Sequence, residues 1–300
     1  MWRPLHRCAE LPLHCFSAAF HRPPPPRSSP PPAPPARGAP PAHAPLSSLD
    51  VIVFDKDGTL LDFAATWLSA LREVAEHVAA SVHQPSLATQ LLRTGGYLPA
   101  TAGRAAAVSA GSIMLEGTND ELALAWIALH PEVAARWASQ PGALAASMSA
   151  VLKRASVRDA TPLTRGARGA LLRMREAGLR LAVVTNDDEE LALAQLDRLG
   201  WLPLFDAVVG QDSGHGAKPG GGGVSAAIAA VGSRPARALM VGDSATDIAA
   251  GRAAGCLGTV AIVPRGAELP SELAAANYRV ADLEELVSLL AEQGFSPLRQ

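Results

Sequence analysis

The stretch Val51-Ile52-Val53-Phe54-Asp55-Lys56-Asp57-Gly58-Thr59 decides how this chain is read. Four apolar residues run without interruption and stop at two carboxylates spaced two apart. A strand exposed on one face alternates apolar and polar side chains. An unbroken apolar run suits a strand buried on both faces, as in a parallel sheet. Four further runs share the form: Leu181–Val184 ends at Thr185, Ala207–Val209 at Gly210-Gln211-Asp212, Leu239–Val241 at Gly242-Asp243, and Val260–Val263 at Pro264. Helical periods between them close on glycine, with Leu171 to Arg175 before Gly178, Leu191 to Leu199 before Gly200, and Ile248 to Ala254 before Gly255. Strand and helix in repetition predict a doubly wound, Rossmann-like α/β fold with a parallel sheet. In such sheets ligands bind beyond the carboxyl ends of the strands, where the polar residues that end these runs fall.

Residues 63–158 break the alternation. Phe63, Trp67, Leu68, Leu71, Val74, Ala75 and Val78 keep helical spacing. Thr118 followed by Glu121 is a capping-box spacing, and Pro131 can open a further helix. With no strand pattern in sight, the segment is expected to be an all-helical domain inserted after the first strand. The α/β core is then expected at 49–62 and 159–290, with 291–300 as a C-terminal tail.

Residues 1–48 have another character. They hold 14 of the 25 prolines and five arginines against one acid, Glu10. Such a segment has too little apolar surface to offset its chain entropy and is expected to be disordered. Basic and acid-poor, it reads as an organelle transit peptide for a chloroplast or mitochondrion; a plain flexible tail or a start placed too far upstream would leave the protein cytoplasmic.

Composition narrows the partners. A formal net charge of −2 gives no electrostatic argument for nucleic acid or an anionic membrane. No run reaches the roughly 18 consecutive apolar residues of a membrane span. Of three cysteines only Cys256 lies beyond the leader, so a disulfide-stapled secreted fold is excluded. Oligomeric state is left open. Lysine is scarce, with Lys56, Lys153 and Lys218 against 23 arginines, which makes each lysine worth a question.

The chemistry gathers at the strand ends. Asp55 and Asp57 can converge on one point, one as nucleophile and one as proton donor, provided a cation offsets their repulsion. Gly58 lets the chain turn sharply there. Asp243 and Asp247 again put acids after a buried strand; hard oxygen donors in small number suit Mg²⁺, which keeps several waters and takes phosphate as a further ligand. Thr185 and Asn186 offer a hydroxyl and an amide to a phosphate, and Lys218 a compact point charge to neutralise it.

Together, Asp55-x-Asp57-Gly58-Thr59, Thr185-Asn186, Lys218-Pro219 and Gly242-Asp243-x-x-x-Asp247 resemble the four ordered motifs of the haloacid dehalogenase superfamily. The likeness spans about residues 50–265 and is nearest to phosphoglycolate phosphatase-like members, the helical insert resembling the family's C1 cap. It implies that Asp55 forms an aspartyl-phosphate and that Asp57 protonates the leaving alcohol and then activates water. It further implies Mg²⁺ on Asp55, Asp243 and the Asp57 main-chain carbonyl, with Asp247 ordering the surroundings. Thr185, Asn186 and Lys218 would grip the phosphoryl group of a small phosphorylated metabolite. Two departures stand out: Phe63 follows Asp62 where relatives often carry serine, and Gly220–Gly223 follow Lys218-Pro219 where a proline and an acid are usual. The four glycines are expected to weaken the next helix start and loosen the Lys218 loop.

The alternatives within the superfamily are a sugar-phosphate phosphatase or a phosphomutase. Outside catalysis the alternative is a phospho-ligand binding module, which would be expected to have lost an acid. A phosphonate-cleaving relative needs a cap lysine, and residues 63–152 contain none. Between Tyr97 and Gly111, Arg104 is the one cation available to meet a substrate carboxylate.

Overall fold

The computed structural model describes residues 46–102, 105–109, 111–116, 118–295 and 298. The strands are β1 (Val51–Phe54), β2 (Tyr97–Leu98), β3 (Ala107–Val108), β4 (Arg180–Val184), β5 (Ala207–Val209), β6 (Ala238–Gly242), β7 (Gly258–Ile262) and β8 (Tyr278–Val280). Six of them form one sheet in the order β5-β4-β1-β6-β7-β8, every neighbouring pair parallel. The chain winds outward from β1 through β4 to β5, then returns across β1 to build β6, β7 and β8. The winding therefore reverses beside β1, and a doubly wound sheet opens its crevice at such a reversal.

All five apolar runs are strands; four are buried on both faces, while β5, at the edge of the sheet, has Ala207 and Val208 only half-buried. Ile52 and Phe54 enter one core cluster with Leu181, Val183, Leu239 and Val241; Val51 and Val53 enter another with Ala182, Val184 and Met240. The first face is covered by α7 (Ala167–Glu176) and α11 (Leu283–Glu292) through Leu171, Met174, Leu286 and Leu290. The second is covered by α9 (Gly222–Ala230) through Val224, Ala227 and Ile228. Burying each large apolar side chain contributes roughly 1.5–3 kcal/mol. The remaining core helices are α8 (Glu189–Arg198) and α10 (Ala245–Ala253). The expected stops hold, with Gly178, Gly200 and Gly255 each at positive φ just beyond α7, α8 and α10.

Between β1 and β4 lie α1 (Phe63–Ser81), α2 (Ala88–Gly95), α3 (Ile113–Glu116), α4 (Asn119–Leu129), α5 (Pro131–Trp137) and α6 (Pro141–Arg158). Val78, Leu91, Trp126, Leu144 and Met148 make their separate apolar core. Thr118 and Glu121 form the expected capping box at α4, and Pro131 opens α5. Asp62 caps α1 by accepting from Ala65 N at 2.8 Å. The segment is not helical throughout: β2 and β3 pair antiparallel within it, each too short for a period-2 pattern. The two crossings between sheet and helices run side by side, Asp62 N donating to Thr161 O and Leu163 N to Leu60 O, both at 2.9 Å. Sheet and helical segment belong to one compact unit.

Both ends of the core reach further than expected. Leu46, within the proline-rich leader by composition, is 1% exposed and packs in the main core; the rest of the transit-peptide reading, residues 1–45, lies outside the described residues. At the other end α11 runs past residue 290 to Glu292, and Phe295 and Leu298 are buried in the same core, so 291–300 is not simply a tail. Among the described residues no helix is long and apolar enough to cross a membrane.

Candidate active site

At the reversal, β1 and β6 end side by side. Asp55 N donates to Val241 O at 2.8 Å, which carries the strand register one residue further and fixes Asp55 at the sheet edge. Its buried carboxylate accepts from Lys218 Nζ, and the same ammonium donates to Asp247 Oδ1 at 2.6 Å. Asp243 follows β6. One oxygen each of Asp55, Asp243 and Asp247 lie within 4.8 Å of one another. Gly58 has φ +82°, and a Cβ there would stand 2.0 Å from Asp243 Oδ2, so both backbone and space demand glycine. Asp247 is aimed by the start of α10: its Oδ2 accepts from Ser244 N at 3.0 Å and from Ser244 Oγ at 2.6 Å, while Ser244 caps the helix in return.

The residues after β4 complete the group. Thr185 is buried, and its Oγ1 accepts from Asp187 N at 3.1 Å, which leaves the hydroxyl hydrogen to donate elsewhere. Asn186 grips the backbone of Lys218 from both ends of its amide, Oδ1 accepting from Lys218 N at 2.8 Å and Nδ2 donating to Lys218 O at 3.1 Å. The glycines after Lys218 are not slack. A Cβ on Gly221 would lie 2.5 Å from Ala254 N, and one on Gly222 2.2 Å from His215 O. They let the start of α9 pack hard against neighbouring backbone, which corrects the expectation of a loosened loop.

The electrostatics follow from burial. Asp55 is held well above the usual carboxylate range by desolvation and by the charges of Asp247 and Asp243, against which Lys218 pulls. Burial and Asp247 push Asp243 up to about 7. Desolvation alone would lower the Lys218 pKa, but Asp55 and Asp247 outweigh it and raise it. Three carboxylates thus face one ammonium in a low-dielectric pocket, all with hard oxygen donors. That set fits a divalent cation, which would relieve the excess negative charge.

The Asp57 carboxylate stands outside that triad. Its Oδ1 accepts from Trp67 Nε1 at 2.7 Å and its Oδ2 from Lys56 Nζ. Lys56, Trp67, Asp187 and Gln195 escaped the sequence reading as site residues. Only Lys56 carried a signal, as one of three lysines; Trp67 read as helix core, and Asp187 and Gln195 had none. Arg104 lies outside the described residues.

Known proteins resemble this chain in sequence and in fold. The family model of haloacid dehalogenase-like hydrolases matches residues 49–255, which take in every strand-end residue of the cluster. A phosphoglycolate phosphatase of Caulobacter vibrioides is 44% identical over 87 residues, 29% of this chain and 37% of that protein. The first curated relatives are thus matched over only about two-fifths of their length. A phosphoglycolate phosphatase of Xanthomonas campestris is 27% identical over 245 residues, 81% of this chain and 91% of that protein. The solved structure of a HAD-superfamily hydrolase, subfamily IA, from Geobacter sulfurreducens superimposes with a TM-score of 0.57 at 20% identity, over 81% of this chain and 97% of that one. The fold is therefore shared, and with more than two thirds of its length matched, this chain belongs to the haloacid dehalogenase-like hydrolase family.

Proposed function

We propose that this hydrolase is a Mg²⁺-dependent, phosphoglycolate phosphatase-like phosphomonoesterase that passes the phosphoryl group of a small phosphorylated metabolite through an aspartyl-phosphate on Asp55. The observation that carries the reading is the buried Asp55 carboxylate at a strand end, bonded to Lys218, with Asp243 and Asp247 close by.

Phosphoryl transfer asks the protein for positioning and charge neutralisation more than for covalent chemistry. A carboxylate oxygen of Asp55 attacks phosphorus; the new P–O bond forms as the ester P–O bond breaks, and Asp57 gives its proton to the leaving alkoxide. Water then attacks the phosphoenzyme and loses a proton to Asp57 as the Asp55–phosphorus bond breaks. Alcohol and inorganic phosphate leave, and both acids return to their starting states. Lys218 neutralises the phosphoryl oxygens, Thr185 donates its free hydroxyl hydrogen to one of them, and Asn186 acts by holding Lys218 in place. Mg²⁺, held by Asp55, Asp243 and the Asp57 main-chain carbonyl with Asp247 behind them, would supply the charge that lets an anionic nucleophile meet an anionic ester.

The helical segment 63–158 serves as the cap that selects the leaving group and shields the phosphoenzyme from bulk water. Small carboxylated phosphates are the preferred class, with Arg104 meeting the carboxylate. The names of the Caulobacter and Xanthomonas relatives support that choice. The test is a ranking of kcat/KM over 2-phosphoglycolate, hexose phosphates and nucleoside monophosphates, with Mg²⁺ and with excess chelator, repeated on Arg104→Ala. We expect 2-phosphoglycolate first, no turnover in chelator, and a loss of about tenfold confined to carboxylated substrates in the variant. Hexose phosphates ranking first would move the assignment to the sugar-phosphate branch. Full activity in chelator would remove the metal.

A further inference from the structure

Asp57 is held on both sides by residues that have no part in the bond-making and bond-breaking steps described above. Trp67 Nε1, on the second turn of α1, donates to Oδ1 at 2.7 Å, and Lys56 Nζ donates to Oδ2. Lys56 is itself pinned: its side chain is fully buried, its ammonium donates to Gln195 Oε1 at 2.7 Å and lies 2.7 Å from Asp187 Oδ2. Gln195, buried on α8, turns its amide nitrogen toward Ser156 O on α6 at 3.4 Å. The ammonium also sits 5.3 Å from the centre of the Trp67 ring. A buried ion pair is rarely the most stable filling for its space, since apolar residues of similar volume do as well or better. What this arrangement supplies is placement. A carboxylate with one rotatable bond to its stem is locked by two donors, each fixed by packing of its own.

We propose that Lys56 and Trp67 are positioning residues that hold the Asp57 carboxylate in the geometry for proton transfer to the leaving oxygen, with Gln195 and Asp187 anchoring Lys56. The inference rests on the proposed phosphatase reaction and assigns no contact with substrate to either residue.

Leaving-group chemistry separates positioning from mere support of the fold. As the Asp55–phosphorus bond forms and the ester bond breaks, an alkoxide needs the Asp57 proton, whereas 2,4-dinitrophenolate is stable enough to depart without one. Lys56→Met is the direct variant but strips the counter-charge from Asp57 and Asp187 and so puts the fold at risk. Trp67→Phe keeps an aromatic ring on α1 and removes the N–H donor together with the second ring of the indole. The experiment uses the full chain with Mg²⁺. It compares kcat and KM on 2-phosphoglycolate or glycerol 3-phosphate, whichever is cleaved faster, with the pre-steady-state burst of 2,4-dinitrophenolate from its phosphate ester. The burst reports formation of the phosphoenzyme before Asp57 is needed as a base.

For Trp67→Phe the expected result is a kcat on the alkyl ester lowered about tenfold, with KM and the dinitrophenolate burst rate each within about twofold of wild type. Lys56→Met, where it folds, should show the same pattern with a larger loss. Equal losses on both esters, or no loss on the alkyl ester, would overturn the inference and leave the phosphatase reading standing. A wild-type enzyme that releases neither alcohol nor dinitrophenolate would instead bring down the reading beneath it, and the inference with it.

Discussion

Lys218 and Lys56 are both buried ammonium groups at the carboxyl edge of the same sheet, each facing two carboxylates, and they differ in how far acids outnumber them. Lys218 faces Asp55 and Asp247 directly, with Asp243 beside them, so acids outnumber cations and the Asp55 and Asp243 carboxyls are driven upward. Lys56 faces Asp57 and Asp187 and shares its third contact with the neutral Gln195 oxygen. Burial would lower the Lys56 pKa, but its two acids outweigh that and raise it; burial pushes Asp187 up to about 6. The third lysine, Lys153, pairs with Glu190 on the surface at 2.5 Å, where an ion pair contributes little. A cluster short of positive charge has a place for another cation and for a phosphate that brings one. The Lys56 cluster, with two acids to its one ammonium, carries one excess negative charge fewer and is tied together by direct contacts to Asp57, Asp187 and Gln195.

The sharpest way to break this contrast is at Asp55. If the cation-poor side holds the nucleophile, Asp55→Asn should lower kcat by at least ~10³ with the fold intact, because the covalent route is removed outright. Turnover near wild type, measured as phosphate release from the best substrate, would mean that the reaction does not pass through Asp55.

Next in size is the response of the two lysines to removal. Each substitution to Met leaves buried acids without their ammonium, a change that typically costs about 3–5 kcal/mol. The two variants should then diverge. In Lys218→Met three acids remain with no competing cation, so the Mg²⁺-induced rise in melting temperature should exceed that of wild type. In Lys56→Met the rise should equal that of wild type, since Asp57 and Asp187 lie outside the carboxylate triad. Calorimetry of the three proteins with and without Mg²⁺ measures this. An enhanced response in Lys56→Met would show the two clusters to be one site.

The contrast also explains what could be read in the chain beforehand. Asp55, Thr185 and Asp243 announce themselves because each ends a run buried on both faces, and a polar group in that position has few structural excuses. Lys218 was legible through its scarcity and its neighbour Pro219. The partners of Lys56 are scattered over a loop at Asp187, α8 at Gln195 and α1 at Trp67, and no local spacing joins them. β8 was missed because Tyr278-Arg279-Val280 is short and carries a charge in the middle, and β2 and β3 because two residues show no period. Leu46 was hidden by the prolines around it, although its burial depends only on where the chain enters the sheet. The glycines after Lys218 were misread because propensity sees flexibility where this fold needs close approach.

The smallest effect expected is a pH dependence confined to the Lys218 side. Without metal Asp243 has its pKa raised to about 7, chiefly by burial and Asp247. A carboxyl raised on folding contributes stability that is fully present below its unfolded value near 4 and is lost as pH rises through its folded value. The apo protein should therefore lose this contribution between about pH 4 and 7. Mg²⁺ binds the carboxylate and not the acid, so below pH 7 it competes with a proton, and its apparent affinity should fall by about tenfold per pH unit down to pH 5. The gain in melting temperature on adding a fixed Mg²⁺ concentration should accordingly be small at pH 5 and large at pH 8. Asp243→Asn, which has no proton to lose, should show a weaker gain and a shallower slope over the same range, the remaining slope coming from Asp55, whose carboxyl is also held high by burial. Burial also pushes Asp187 up to about 6, but it belongs to the Lys56 side, so Asp187→Asn should leave the Mg²⁺ gain and its slope unchanged. A gain that is flat or falls with pH in wild type would show that the metal does not meet Asp243, and the division between the two lysine clusters would have to be drawn elsewhere.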